Sequence, residues 1–330
     1  MRADTEAPRT LLVRAGALGD VLLLRTALAT LKGAGLVVDL MAPADSGAAL
    51  IGPGEGEASR LLAWDRPEAA PLFAPGGPPS GPWLSELRRY RAIVAYSRSE
   101  PILAGLRAIG PRVIAHPPRP PEPGPHVADW LAEAVRNLAP RRVAARPLRP
   151  VPAETGAASS FWSRLPTGFL AIHPGSGSPL KNWPQERFAA VADALRDGRE
   201  WLLVEGPADA SACARLRHSP GALTISGQSP RVLGAVLSRA GLYVGNDSGV
   251  THLAAAAGAP TLALFGPTDA TTWTPVDPLV ETVSSPDGHM GGLDLARVRR
   301  AAAQLLERAR RAPREEAGAG RPGGSRGERG

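Results

Sequence analysis

Short apolar runs that end in glycine-bearing loops recur along this chain, each followed by a segment with helical apolar spacing. Residues 10–13 (TLLV) end at Arg14, the turn AGALGD follows, and VLLLRTALATLKGAG has helix-like spacing with a glycine stop. LVVDLMAP is the next buried-strand candidate. Strand, glycine turn, helix, strand is the opening unit of a parallel α/β domain. Residues 52–82 read as Pro/Gly-rich loops around a short strand at Leu61–Trp64. RAIVAYS then predicts a strand, ILAGLRAIG a short helix, VIAH a strand end, PPRPPEPGP a stiff polyproline loop and His126–Leu138 a helix.

The same logic restarts after APRRVAARPLRPVPAE, which is rich in Pro and Arg and lacks periodicity. FLAIHPGSGS predicts strand and glycine loop, PQERFAAVADALRD a helix, WLLVEGP a strand and ASACARLRH a helix. LTISG, a helix near 230–240, GLYVGND, the helix SGVTHLAAAAG, PTLALFGPTD and a basic helix over 293–311 complete the pattern. The expected organisation is a flexible N-terminus at 1–9, a Rossmann-like α/β domain over 10–150, a second over 151–312 and a disordered tail at 313–330. A length of 330 residues suits two such domains. Ligands of open α/β sheets bind beyond the carboxyl ends of the strands, so the cleft between the domains is the place to look.

Composition removes several function classes. No apolar run reaches about 18 residues, so no membrane span is expected, and the polar start MRADTEAP does not read as a secretory signal. The single cysteine, Cys213, excludes an internal disulfide and a multi-cysteine zinc site. The cytoplasm is the expected compartment. The net charge of +7 comes from 38 basic residues, of which only Lys32 and Lys181 are lysines. Such arginine bias, with 37 Gly and 35 Pro, reflects coding composition more than a nucleic-acid surface, though a positive field favours anionic ligands.

No G-x-G-x-x-G follows the first strand, phosphate-loop and zinc-protease motifs are absent, and so is any Asp-x-Asp pair that would clamp a metal–diphosphate. No protein-held metal is expected. Three loops at predicted strand ends remain. In Gly16-Ala17-Leu18-Gly19-Asp20 the small residues permit a tight turn, and Asp20 is either a helix cap or a general base at the cleft. His173-Pro174-Gly175-Ser176-Gly177, followed by Lys181, offers N–H groups, a hydroxyl and a point charge to an anion; the alternative is a solvated loop lysine. Gly245-Asn246-Asp247-Ser248-Gly249-Val250-Thr251-His252 brings a helix N-terminus to the same anion, the alternative being capping and a core histidine. Phe265-Gly266-Pro267-Thr268-Asp269 would close that pocket. Phosphate-binding character in two loops of one domain points to a nucleoside diphosphate.

HPGSGSPLKNWPQERFAAVADAL and GLYVGNDSGVTHLAAAAGAPTLALFGPTD, with LLVRAGALGDVLLLRTAL, resemble glycosyltransferase family nine, the ADP-heptose:lipopolysaccharide heptosyltransferases. That resemblance implies a GT-B fold and a metal-independent, inverting transfer from a nucleotide sugar, with ADP-heptose the expected donor and no further cofactor. It implies Asp20 as the base and Lys181 as the group that stabilises the leaving diphosphate. Gly175, Ser176, Asp247, Ser248, Gly249, His252 and Asp269 would bind the donor, with Glu205 or Asp209 near its ribose or base. The partner it implies is a lipid-linked or cell-envelope glycan acceptor, met in peripheral contact with the inner face of the plasma membrane.

The acceptor half departs from the pattern. Family members carry a proline in the first helix where this chain reads LLLRTAL, and the middle of the first half is short and rich in Pro and Gly. Gly16, Gly19 and Arg98 are the acceptor-side candidates; Arg88, Arg89, Arg91 and Arg107 either join Arg98 against an anionic acceptor or form a solvated face. Two other readings share this architecture: a sugar-nucleotide 2-epimerase-like isomerase, and a non-catalytic sugar-nucleotide-binding protein.

Overall fold

Each apolar run pairs with a neighbour in parallel, and two sheets result. A computed structural model describes residues 8–67, 69, 70 and 82–312; the expected disordered tail and most of the expected flexible N-terminus lie outside the described residues. The first domain runs β1 (Arg9–Arg14), α1 (Leu18–Leu22), α2 (Arg25–Gly33), β2 (Val37–Ala42), α3 (Ala44–Ala48), β3 (Leu61–Ala63), α4 (Pro82–Leu87), β4 (Ala92–Tyr96), α5 (Glu100–Ile109), β5 (Arg112–His116) and α6 (Val127–Glu133). Its strand order is β3-β2-β1-β4-β5.

The second domain runs α7 (Pro152–Trp162), β6 (Leu170–His173), α8 (Gln185–Leu195), β7 (Trp201–Glu205), α9 (Ala210–Cys213), β8 (Ala222–Ser226) and α10 (Pro230–Leu237). It continues with β9 (Leu242–Asn246), α11 (Gly249–Ala256), β10 (Thr261–Phe265), α12 (Ala270–Trp273), β11 (Val280–Ser284) and α13 (Leu295–Arg311). Its order is β11-β10-β9-β6-β7-β8. Every pairing is parallel, and β4, β9 and β10 are buried along their whole length, as sheets covered by helices on both faces require.

The strand order reverses between β1 and β4 in one sheet and between β6 and β9 in the other. These are the points where chain connections leave in opposite directions and a crevice opens at the carboxyl ends. The loops singled out in the sequence after β1, β6 and β9 all emerge at these two crevices. The segment expected as one helix after the first turn divides at Leu23 and Leu24. There Leu24 N–H bonds to Val21 O at 3.0 Å, one residue short of the α-helical partner, which tightens the turn before α2 begins.

The two domains share an apolar core. One buried cluster runs from Leu28 of α2 and Leu131 of α6 into Val236 of α10 and Leu253 of α11. Two arginines fasten the Pro/Arg-rich segment between the domains. Arg25 donates to Arg146 O at 2.7 Å and pairs with Asp277 at 2.9 Å, both side chains being buried. Burial pushes the Asp277 carboxyl up to about 6, against the pull of Arg25. Arg231 donates to Arg149 O at 2.7 Å, pairs with Glu154 at 2.8 Å and also bonds Glu57 of the first domain. Removing a buried cation strands its carboxylates. Arg231→Met should therefore lower the unfolding free energy by about 3–5 kcal/mol in urea titration, and adding Glu57→Leu should reduce that loss.

The N-terminal turns of α1 and α11 pack directly against each other between the domains. A Cβ on Gly249 would stand 2.8 Å from Leu18 Cβ and 3.0 Å from Gly19 N, so only glycine lets the two backbones meet. His252 of α11 rests on Gly19, where a Cβ would lie 3.1 Å from its Cδ2. Burial pushes the His252 imidazole down to about 4; the charges of Asp247 and Asp20 oppose this, and those of His126 and Lys181 add to it.

The unfolded chain, with an ordinary histidine near 6.5, therefore takes up the proton first as the pH falls. The stability contributed by neutral His252 is complete above about pH 6.5 and is lost toward pH 4, on the order of 3 kcal/mol in all. Between pH 7.5 and pH 5, the wild type should lose about 2 kcal/mol more unfolding free energy than His252→Gln in urea titrations. Equal losses in the two proteins would contradict a neutral, buried His252.

Candidate functional site

The turn after β1 is built around one carboxylate. Gly16 adopts φ +145°, and a Cβ there would lie 2.6 Å from Asp20 Cβ, so the turn passes beneath Asp20 only because residue 16 is glycine. Ala17 N–H donates to Asp20 Oδ2 at 3.2 Å, which ties the carboxylate to the start of α1. Its other oxygen, Oδ1, pairs with Arg14 Nη2 at 2.9 Å. The N-cap of α1 is Ala17 rather than Asp20; Asp20 sits in the first turn, accepts from the cap's N–H, and stands a quarter exposed at the carboxyl edge of the first sheet.

Across the cleft, two loops of the second domain are pinned to each other. Asn246, fully buried at the end of β9, donates through Nδ2 to Pro174 O at 2.8 Å and accepts from Trp183 N–H at 3.2 Å. Lys181 lies in a short turn of this loop with its Nζ 2.7 Å from Asp247 Oδ2. The ammonium is about a third exposed, with 34% of the Lys181 side chain accessible against 10% for Asp247, so it is the cation presented outward. Ser176 Oγ accepts from Ser178 N–H at 3.2 Å and lies 2.7 Å from Asn182 Oδ1, holding the turn ahead of the lysine.

Ser248 caps α11 by accepting from Thr251 N–H at 3.3 Å and also meets His173 Nδ1 at 3.2 Å. His173 Nε2 lies 2.9 Å from Asp209, which accepts from Gly206 N–H at 2.9 Å as well. Burial would raise the Asp209 carboxyl, but the hydrogen bond and charge of His173 outweigh it and leave it below its ordinary range. Gly175 lies directly against that carboxylate. With Thr251 and His252 N–H both satisfied by Ser248, the N–H groups of Gly249 and Val250 remain at the positive end of α11.

The remaining candidates are distributed unevenly. Glu205 faces Arg217 at 2.7 Å on the rim, and Asp209, 7% exposed, is spent on holding His173 rather than presented to a ribose or base. Asp269 caps α12 through Thr271 N–H at 2.9 Å, and bonds to the hydroxyls of Thr271 and Thr272 hold its carboxyl below the ordinary range.

The five arginines grouped as one acceptor-facing set do not come together. Arg98 is exposed in the loop after β4, at the cleft end, whereas Arg107 pairs with Glu100 at 2.8 Å and Arg88 donates to Ile109 O at 3.3 Å. Arg89 and Arg91 line a cavity of about 320 Å³ with Arg9, Arg60, Glu86 and Tyr90, at the opposite, amino end of the sheet. A strand of five residues separates the two ends, and spacing in sequence alone does not reveal which end a loop residue occupies.

Sequence reading gave no role of their own to Arg14, His126 or Asn246, the last named only within its loop. Arg14 and Asn246 each end the apolar run of a strand, and a buried polar group in that place is the signal that marks them. His126 bridges the domains: its Nδ1 accepts from Ala128 N–H at 3.2 Å, so Nε2 donates to Thr274 O at 2.7 Å. Beside it Arg119 of the polyproline loop stands 5.7 Å from the centre of the Trp273 ring. Among the described residues no three His, Cys, Asp or Glu side chains lie close enough together to hold a metal ion.

Residues 148–295 match glycosyltransferase family 9 (heptosyltransferase). A stretch of 114 residues, 32% of this chain and 34% of the relative, is 36% identical to lipopolysaccharide heptosyltransferase 3 of Escherichia coli, so the chain matches about a third of that protein's length. A glycosyl transferase family 9 structure from Veillonella parvula superposes with TM-score 0.76 at 19% identity, covering 91% of this chain and 98% of that one. The E. coli ADP-heptose lps heptosyltransferase II superposes with TM-score 0.72 at 18% identity, covering 92% and 99%. The E. coli heptosyltransferase WaaC with ADP gives 0.64 at 18% identity over 91% and 99%. The second domain is therefore a glycosyltransferase family 9 domain, and the chain as a whole has the two-sheet, GT-B-like fold of that family's solved structures.

Proposed function

We propose that this chain is a glycosyltransferase that moves a heptose from ADP-heptose onto a cell-envelope glycan of the lipopolysaccharide-core type. The observation that carries the reading is the convergence of a carboxylate and a cationic anion site through the contact of α1 with α11. Asp20 lies in the first turn of one helix, and the N–H groups of Gly249 and Val250, with Lys181 and Asp247, stand at the first turn of the other. A single displacement needs a base on the acceptor side and positive charge on the leaving-group side, and this arrangement supplies both.

In that reaction Asp20 takes the proton of the acceptor hydroxyl, and the freed oxygen pair forms the new bond to the anomeric carbon from the face opposite the diphosphate. The bond from that carbon to the diphosphate oxygen breaks, and its electron pair leaves with ADP. Lys181 and the α11 N-terminus stabilise the charge that builds on the departing diphosphate, the work otherwise done by a divalent metal, so the transfer is metal-independent and inverting. The names of the similar proteins, an ADP-heptose heptosyltransferase and a heptosyltransferase with ADP, support this choice of donor. No described helix is long and apolar enough to cross a membrane, and a lipid-linked acceptor would place the reaction at the cytoplasmic face in peripheral contact.

Calorimetric titration of ADP, UDP and GDP in EDTA tests the donor site. ADP should bind most tightly, and Lys181→Ala should weaken it by about 1.5–3 kcal/mol, toward the upper end because Asp247 is left unpaired beside the anion. Asp20→Asn should bind ADP within twofold of the wild type while losing roughly 10²–10⁴ in turnover. A UDP preference would remove ADP-heptose from the reading, and no nucleotide binding would overturn the donor site. Sugar-nucleotide turnover that needs no acceptor would favour an isomerase.

A further inference from the structure

Arg14 closes β1 after the buried apolar residues Leu11, Leu12 and Val13, and its side chain is 2% exposed. The guanidinium is held on two arms: Nη1 donates to Pro118 O at 2.8 Å, and Nη2 to Asp20 Oδ1 at 2.9 Å. The third donor, Nε, is buried without a partner. Burial pushes the guanidinium pKa down and the charge of Asp20 pulls it up, with Arg119 nearby adding to the downward push. A guanidinium remains charged under such opposing effects. Taking this cation out of water is costly, and an apolar residue at the end of an apolar strand would avoid that cost. What the charge does at that place is act on Asp20.

We propose that Arg14 is a positioning residue for the Asp20 carboxylate, an inference that rests on the reading of Asp20 as the base. Oδ1 is committed to the charge-assisted bond from Arg14, which is itself braced on the polyproline loop through Pro118 O. Oδ2 has only the 3.2 Å bond from Ala17 N–H and lies over Gly16, so it is the less engaged oxygen and the one that receives the acceptor proton. The step balances: the acceptor O–H bond breaks, an Asp20 Oδ2–H bond forms, and the freed pair goes to the anomeric carbon. Arg14 keeps its charge throughout, and once Asp20 is neutral the buried cation lacks its counter-ion, which favours release of the proton after product leaves.

The test uses the full chain with ADP-heptose and two acceptors, heptose-deficient and heptose-bearing lipopolysaccharide, for the wild type, Arg14→Met and Arg14→Lys. Arg14→Met should lose about 10–100-fold in kcat, the scale of a misaimed catalytic group, with ADP Kd and donor KM within twofold. Arg14→Lys, which keeps the charge but loses the fork, should recover a large part of the lost kcat. A kcat within twofold of wild type in Arg14→Met, or an ADP Kd that weakens in step with kcat, would overturn the proposal.

A second measurement does not depend on turnover. In urea unfolding, the midpoints of Arg14→Met, Asp20→Asn and the double variant should be non-additive, the double being no less stable than Asp20→Asn, which strands the buried cation. Additive midpoints would overturn the pairing whether or not either acceptor is used. A wild type inactive on both acceptors would count against the transferase reading, with the unfolding cycle still deciding the role of Arg14.

Discussion

Two helix N-termini from different domains touch through glycine, and the chemistry of the protein follows from that contact. Without side chains at Gly19 and Gly249, α1 and α11 approach until Leu18 and Gly19 N lie against Gly249. A methyl group on Gly249 would need the backbone at Gly19 to retreat, and with it what the two helices carry, whereas one on Gly19 would press on the His252 ring at 3.1 Å. One carries Asp20 in its first turn; the other ends in the donor groups of the Ser248 loop. Asp20 and the Ser248 loop are brought together by absence of bulk rather than by an attractive contact, while the attraction that holds the domains is supplied elsewhere, by the shared apolar core and the buried ion pairs.

The loops on each side are stiffened by buried polar groups that never face the cleft. Asn246 ties two loops of the second domain together, and His173 links the Ser248 cap to Asp209. These bonds lie in the interior, where an unmade partner is expensive, so each fixes one arrangement of the loop above it. Lys181 is the exception. It sits partly exposed and paired with Asp247.

Much of this was legible in the residues. Fully apolar runs closed by glycine loops announce parallel strands, and the loops after β1, β6 and β9, marked in the sequence by their Gly, Ser, Asp and Lys content, lie at the strand-order reversals. What escaped reading has physical reasons. The helix α7 (PAETGAASSFW) is made of small residues and buries only Ala158, so it has no apolar stripe to detect. The edge strand β11 is half-buried along most of its length and shows no apolar run. Asp209 and Asp269 have the residue type of a ligand group, but their oxygens are consumed by local bonds that spacing cannot foresee. The arginines divide between the two ends of a sheet for the same reason: chain order does not say which end of a strand a loop occupies.

The division of labour between arginine and lysine argues that the arginine-rich composition has been put to structural use. Arg14, Arg25 and Arg231 are each buried, and each does two things at once: it donates to a backbone carbonyl of a connecting segment and pairs with a carboxylate. The planar fork suits that double duty, because its two terminal nitrogens point in fixed directions. In Arg25 and Arg231 the fork binds the interdomain segment to the domains it joins. In Arg14 the same geometry binds the polyproline loop to the carboxylate of Asp20. Lys181 is the partly exposed cation of the cleft, and the arginines are the buried ones that fix its surroundings.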